Sequence, residues 1–284
     1  MSDPTKLSPG MAALLRGGAR AQSASSLLFV ILGEFVLPSL RPAWSSELLS
    51  ALTEFGFEAN AARKALLRAR EAGVLEPTRD GRRVNWSITA SGHQLMNAGY
   101  DRVYGWATRD RSWDGRWLVL SVSIPESQRR LRHHLQKQLA LAGLGSPIPG
   151  QWITPHVGRS AEVADIVEKL GLADRSHSFI GPIGPVGNLR NMVDSAWNLG
   201  RLRTEYDDFI SAFATEDPGT DRERLARRIQ LVQAWRRFPY RDPDLPPELL
   251  PAEWPGDHAA RVFHERHEAW SAGASRHWQT LTPE

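Results

Sequence analysis

The chain has 284 residues, enough for two or three domains with cores of their own and too many for a single small module. It contains no cysteine, which excludes disulfides and any cysteine-ligated zinc site and suits a reducing cytoplasm. A formal net charge of +3 does not by itself argue for a nucleic-acid partner, so any such argument rests on where the basic residues cluster.

In chain order, residues 1–22 lack a sustained apolar core and read as a poorly ordered lead-in, not a signal peptide. Ser23 to Leu37, SASSLLFVILGEFVL, begins with serines able to cap a helix and continues apolar nearly all round, so the helix has to be buried in its own domain or against a partner subunit. Its apolar run, Leu27 to Leu37, is broken by Glu34 and falls far short of the roughly 20 residues of a membrane span, so no membrane partner is expected. Pro38 and Arg41-Pro42 end it. A second helix is predicted from Trp44 to Phe55, with Ser45 or Ser46 as cap, inward Leu48, Leu49, Leu52 and Phe55, and Gly56 as stop.

About three residues later a third helix starts near Asn60 and runs to Ala72. Ala62, Leu66 and Ala69 fall on one side of it, Asn60, Lys64, Leu67 and Arg68 on the other, and Arg63 at the flank. Gly73 ends it, and an Asp80-Gly81 turn then sets up a hairpin in which Val84, Trp86 and Ile88 alternate with Arg83, Asn85 and Ser87. From Ala59 to Ile88 there are seven basic residues against three acidic, so the positive charge of the chain is concentrated here. A helix with an Asn, Lys and Arg face fits the DNA major groove, and wing guanidiniums hold phosphates. Two helices joined by a tight turn and followed by a hairpin therefore predict a winged helix-turn-helix. The candidate DNA-contacting residues are Ser45, Asn60, Arg63, Lys64, Leu67, Arg68, Arg79, Arg82 and Arg83. The alternative for this stretch is an amphipathic surface helix with a solvated face and an ordinary hairpin. Thr89 caps a further helix, Ala90 to Tyr104, that closes the domain.

Arg109 to Gly115 reads as a linker. Beyond it, Trp117 to Ile124 and Gly150 to Pro155 read as strands, Gln128 to Ala142 and Ala161 to Leu170 as helices, and Ser178 to Ile183 as a last strand. The alternation predicts a ferredoxin-like α+β domain over 109–188. From Leu189 the pattern is helical: Leu189 to Ala214, Asp221 to Phe238 and Asp257 to Leu281, with a proline-rich connection before the last. The fold class is thus α+β, with a DNA-binding domain at 23–108 and a helical domain for dimerisation or effector binding at 189–284. The many aromatic residues of the last segment suit either a packed core or a pocket for a flat ligand.

This order of parts resembles the PaaX family of bacterial transcriptional repressors, named for control of phenylacetate degradation. The likeness runs from SLLF at Ser26 to Phe29, through ARKALLRAREAGVLE and the GRR…W…ITASG wing, to WDGRW at Trp113 to Trp117, GQWITP, and ELLPAEWPG near the C-terminus. The resemblance implies a winged-helix domain, a middle domain similar to the CRISPR spacer-acquisition nuclease, a helical C-terminal domain, dimerisation, and derepression by an aryl-CoA thioester. Arg63 and Arg68 match recurrent arginines of the family's recognition helix, whereas Lys64 and Leu67 stand where the family varies. An acyl-CoA needs aromatic surface for its acyl end and cations for its phosphates. Trp197, Trp235, Phe238 and Trp278 are candidates for the first, and Arg116, Arg201, Arg203, Arg236 and Arg237 for the second.

The middle domain raises the alternative of a metal-dependent nuclease, but its first strand ends Ser121-Val122-Ser123-Ile124-Pro125 with only Glu126 nearby, and a lone carboxylate at a helix start is an ordinary first-turn complement. His264 and His267 are three apart and do not form the HExxH zinc arrangement, so they read as a solvated helix face. GPIGPVG at Gly181 to Gly187 lacks the lysine of a phosphate loop. No nucleophile, base and orienting acid stand together, so no enzyme activity, cofactor or metal is expected. A second basic cluster, Arg129, Arg130, Arg132, His133, His134 and Lys137, is a solvated helix face or a phosphate contact.

Overall fold

The computed structural model describes residues 23–106 and 111–281, so the lead-in expected at 1–22 and part of the expected linker lie outside the described residues. The chain is α+β and divides into two compact units. Of the described residues, one comprises 23–106, 208–237 and 257–281, and the other 111–207 and 238–256.

The first unit begins with α1 (Ala24–Ile31), where the Ser23 hydroxyl accepts the Ser26 N–H at 3.1 Å as the N-terminal serines imply. All its residues are buried, because a helix apolar all round needs cover on every side. It continues as a π-helical turn, Leu32–Val36, that carries the buried Glu34. A short strand β1 (Ala43–Trp44) leads into α2 (Ser45–Glu54). Trp44, not Ser45 or Ser46, stands at the cap, and its backbone N–H donates to Glu47 at 2.6 Å. Next come α3 (Ala59–Glu71), β2 (Leu75–Asp80) and β3 (Arg83–Ile88). Asp80 pairs with Arg83, so the loop residues are Gly81 and Arg82, one position later than expected. Gly81 takes φ +59 at the first loop position, which a type II′ turn reserves for glycine. The three strands order as β1-β3-β2, all antiparallel. Helix α4 (Ala90–Tyr104) starts at Thr89, whose hydroxyl accepts the Gly92 N–H at 2.9 Å, as expected.

The second unit holds β4 (Arg116–Val122), α5 (Arg129–Leu141), β5 (Gly145–Ile148), β6 (Gln151–Thr154), α6 (Ser160–Lys169) and β7 (Ser176–Pro182). Its four-stranded antiparallel sheet has the order β5-β6-β4-β7. Sequence reasoning ended the preceding helix at Gly143 and Gly145 and missed β5, a four-residue strand interrupted by Pro147. Leu118, Leu120 and Val122 of β4 pack with Leu135 and Leu139 of α5 and Val163 and Val167 of α6. On the other face Trp117 packs with Ile153, Leu245 and Leu249. This two-sided burial explains why the strand reads as a nearly continuous apolar run.

The remaining helices are shorter than their periodicity predicts. The stretch Leu189 to Ala214 breaks into α7 (Leu189–Ala196) and α8 (Leu199–Phe213), because the Asn198 carboxamide accepts the Arg201 N–H at 3.0 Å and caps a new helix. Then follow α9 (Asp221–Trp235), α10 (Gly256–Ala269) and α11 (Ser271–Thr280), the last two separated at the buried Trp270. The segment expected as one C-terminal domain contributes to both units. Its helix α9 packs on α1 and α11, giving the all-apolar α1 cover from within its own chain.

Candidate nucleic-acid interface

Helix α3 presents two chemically opposed faces. Ala62, Ala65, Leu66 and Ala69 are buried toward α1 and α2, and Asn60, Arg63, Lys64 and Leu67 are exposed. Arg63 donates to the Asn60 side chain at 3.2 Å, so the two stand together on the outer face. Leu67 is 48% exposed, an apolar spot within this polar face. Arg68 is exposed too but turns toward α1, where its Nε donates to the Ser25 hydroxyl at 3.0 Å.

The hairpin carries Arg79 on β2, Arg82 at the loop tip and Arg83 at the start of β3, all exposed. The Arg83 guanidinium lies 5.8 Å from the centre of the Trp44 ring. Trp86 is the buried anchor of β3, and its indole N–H donates to the Ser45 hydroxyl at 2.8 Å. Ser45 therefore joins β3 to the start of α2 by a bond within the protein. Arg68 likewise braces α3. Both were nominated as DNA contacts, and each has a structural partner that sequence spacing does not reveal. The helix face and the loop tip bear an amide and cations, a surface suited to phosphate and base edges.

The same unit holds a buried ionic cluster that sequence reasoning missed. Glu34, in the π-helical turn, accepts from Arg228 Nε of α9 at 2.6 Å, meets His267 Nε2 of α10 at 2.8 Å, and accepts from the Tyr104 hydroxyl of α4. Burial pushes the Glu34 carboxyl up, but His267, Arg228 and Tyr104 together hold it below the usual carboxylate range. The same burial, with Glu34 alongside, raises the Tyr104 phenol well above its ordinary value. His267 is thus a partner of a buried carboxylate, not part of the solvated face expected of His264 and His267. The only sequence signal was Glu34 itself, a charge within an otherwise apolar helix.

The residues nominated for an effector are dispersed. In the first unit, Trp235 is fully buried against Phe209 and Phe263, with its indole N–H on the Val103 carbonyl at 3.0 Å. Trp278 stacks on Phe35, and Arg236 is buried with Nη1 near the Ser26 carbonyl at 3.4 Å. Arg237, also in this unit, is half-buried. In the second unit, Phe238 is fully buried and stacks on Tyr206. Arg116 pairs with Asp114 at 2.6 Å, Arg201 with Glu205 at 3.1 Å, and Arg203 donates to the Ala252 carbonyl at 2.6 Å. Trp197 borders an open cleft of 390 Å³ with Asp194, Ser195, Asn198, Leu199 and Gly200. The aromatic residues of α9 and α11 are therefore core.

Glu126 lies in a short 3-10 turn before α5 and pairs with Arg132 at 2.7 Å. Arg132 also reaches the Ile124 carbonyl at 3.0 Å, and His134 meets Gln138 at 3.2 Å, whereas Arg129, Arg130, His133 and Lys137 are exposed. Among the described residues no cluster of three or more His, Cys, Asp or Glu could hold a metal ion, and no helix is long and apolar enough to cross a membrane.

Three family models match the chain. Residues 23–92 match the model described as PaaX-like protein, 110–193 the PaaX protein central Cas2-like domain, and 197–280 the PaaX-like protein C-terminal domain. The transcriptional repressor PaaX of Escherichia coli (strain K12) is 29% identical over 252 residues, which cover 84% of this chain and 77% of that protein. A solved structure titled uncharacterized protein Rv0674 from Mycobacterium tuberculosis superposes with a TM-score of 0.61 at 22% identity, over 91% of this chain and 99% of that one, and so shares the fold.

Proposed function

Because the chain belongs to the PaaX family, we propose that it is a transcriptional repressor, not an enzyme, that grips operator DNA with a winged helix-turn-helix. In this reading α2 and α3 form the helix-turn-helix, and the hairpin β2–β3 is the wing. The observation that carries it is the outer face of α3, where Asn60, Arg63, Lys64 and Leu67 stand exposed, followed in the chain by a hairpin whose loop tip bears the exposed Arg82. A major groove about 12 Å wide admits such a helix, and Asn, Arg and Lys are the side chains that read base edges there. Arg79, Arg82 and Arg83 act on phosphates, fixing register without reading sequence.

One such helix reads only a few base pairs, so the protein acts as a cytoplasmic homodimer on an inverted repeat. Its targets are genes of aromatic-compound catabolism, and the releasing ligand is an aryl-CoA thioester. That ligand suits Trp197, which borders a cleft, and the exposed Arg201 four residues on. The test is a gel shift with DNA from the protein's own promoter, with and without a divalent metal. Retained, uncut DNA in both lanes is the expected result. Metal-dependent cutting would replace this reading with a nuclease.

A further inference from the structure

Many exposed cations of this chain are answered by carboxylates. Arg201 and Arg241 share Glu205, Arg276 meets Asp221, and Lys169 meets Asp165. Lys64 of α3 and Arg82 of the hairpin loop are not: among the described residues neither has an acidic partner, which suits a surface that meets a polyanion. A second group of the same kind lies outside the first unit, on α5.

Helix α5, RRLRHHLQKQLAL, contains no Asp or Glu, and its buried residues are Leu135 and Leu139. At about 3.6 residues per turn, Arg129, His133, Lys137 and Arg130 fall within about 100° of arc on the opposite side. All four are exposed, and among the described residues none has an acidic partner. Arg132, by contrast, is held by Glu126, the carboxylate nearest in sequence. Helix stability does not explain this arrangement. The first turn of a helix favours acids, because its free N–H groups present positive charge. Glu47 of α2, Glu162 of α6, and Asp221 and Glu223 of α9 follow that rule. The first turn of α5 carries Arg129 and Arg130 with no acid. A local rule broken without a compensating partner inside the chain marks a place that serves something outside it.

We propose that the α5 face bearing Arg129, Arg130 and Lys137 is a second contact to duplex DNA, one that grips phosphates without reading sequence. The inference rests on the reading of the chain as a DNA-binding protein and adds a surface to it. From Arg129 to Lys137 the helix rises about 12 Å, and over that length one DNA strand presents a phosphate about every 3.4 Å of axis. A small phosphorylated ligand would need cations that converge on one point, whereas these are spread along the convex side of a helix. A membrane surface would favour a broad plate of cations. Helix α6, which packs against α5, instead exposes Glu162, Asp165 and Glu168. The positive charge is therefore one helix wide, a width that a single row of phosphates matches.

In the full-length protein, R129Q/R130Q/K137Q removes three charges while keeping good helix formers in α5, so its circular dichroism should be unchanged. Fluorescence anisotropy over a salt series, with DNA from the protein's own promoter and a scrambled duplex, reads the effect. Affinity for both duplexes should fall by the same factor, at least about tenfold at the lowest salt, with their ratio preserved. The log–log salt slope should become shallower by roughly 0.9 for each phosphate no longer neutralised. K169Q/R261Q/R276Q, which removes equal charge elsewhere, should keep the slope, and an equal loss in both variants would overturn the contact. If the α5 variant binds with unaltered affinity and slope while replacing Arg82 and Arg83 lowers both, α5 is a solvated face and the DNA-binding reading stands. An unaltered protein that binds neither duplex would overturn both.

Discussion

Glu34 occupies a position where the surrounding helix otherwise places apolar side chains, and it persists as a carboxylate because three elements bring it donors. Truncating it would leave the Arg228 guanidinium buried without its carboxylate, so Glu34→Ala should lower stability by about 3–5 kcal/mol, read as a shift in the urea midpoint. Replacing Glu34, Arg228, Tyr104 and His267 together with apolar residues should recover much of the loss, since a packed apolar cluster can match a buried ion pair. Asp242 behaves in the opposite way. Withdrawal from water raises its carboxyl to about 6, offset in part by the Tyr206 hydroxyl 2.7 Å away. The folded protein therefore holds this proton more tightly than the unfolded chain. Its stabilising contribution is complete below about pH 4 and is lost as pH rises through about 6. Asp242→Asn should flatten that part of the stability profile, and an unchanged profile would mean that another group is responsible.

At the scale of elements, α3 and the wing should fail differently when their cations are removed. Replacing Arg63 and Lys64 together by Ala should abolish preference for the operator, because base-reading side chains contribute roughly 1–3 kcal/mol each. Replacing Arg82 and Arg83 should weaken binding to every sequence and make the log–log salt slope shallower by roughly 0.9 for each phosphate no longer neutralised. Fluorescence anisotropy over a salt series with operator and scrambled DNA separates the two. A wing variant with an unaltered salt slope, beside a helix variant that binds normally, would move the interface elsewhere. The α3 boundaries and the Thr89 cap of α4 were legible because periodicity and capping chemistry are local. Strand β5 was not, since a four-residue strand containing proline owes its existence to pairing with β6.

For the whole molecule the linked quantity is release from DNA. If an aryl-CoA thioester favours a dimer with misplaced recognition helices, operator DNA must weaken thioester binding by the same factor by which the thioester weakens DNA binding. Calorimetric titration of a panel of aryl-CoA thioesters, repeated with operator present, should show that reciprocal loss, and the free aryl acids should show neither effect. Equal binding with and without DNA would defeat the mechanism even for a tight ligand, because a ligand without preference between states shifts nothing.

Sequence by itself determined the basic helix and hairpin, the α+β alternation of the middle segment and the lack of any cysteine chemistry. Each of these depends on residue type and short spacing. Tertiary structure decided which nominated side chains also have partners within the protein. Ser45 and Arg68 were nominated as DNA contacts, and they bond Trp86 and Ser25, residues 41 and 43 positions away. It decided that Trp235 and Trp278 are core, and that the last hundred residues serve two units because α9 covers α1. It also joined Glu34 to Arg228 and His267 across 194 and 233 positions. Periodicity shows which face of an element is apolar, but the partner of a buried charge is set by which distant segments meet, and nothing in local spacing encodes that meeting.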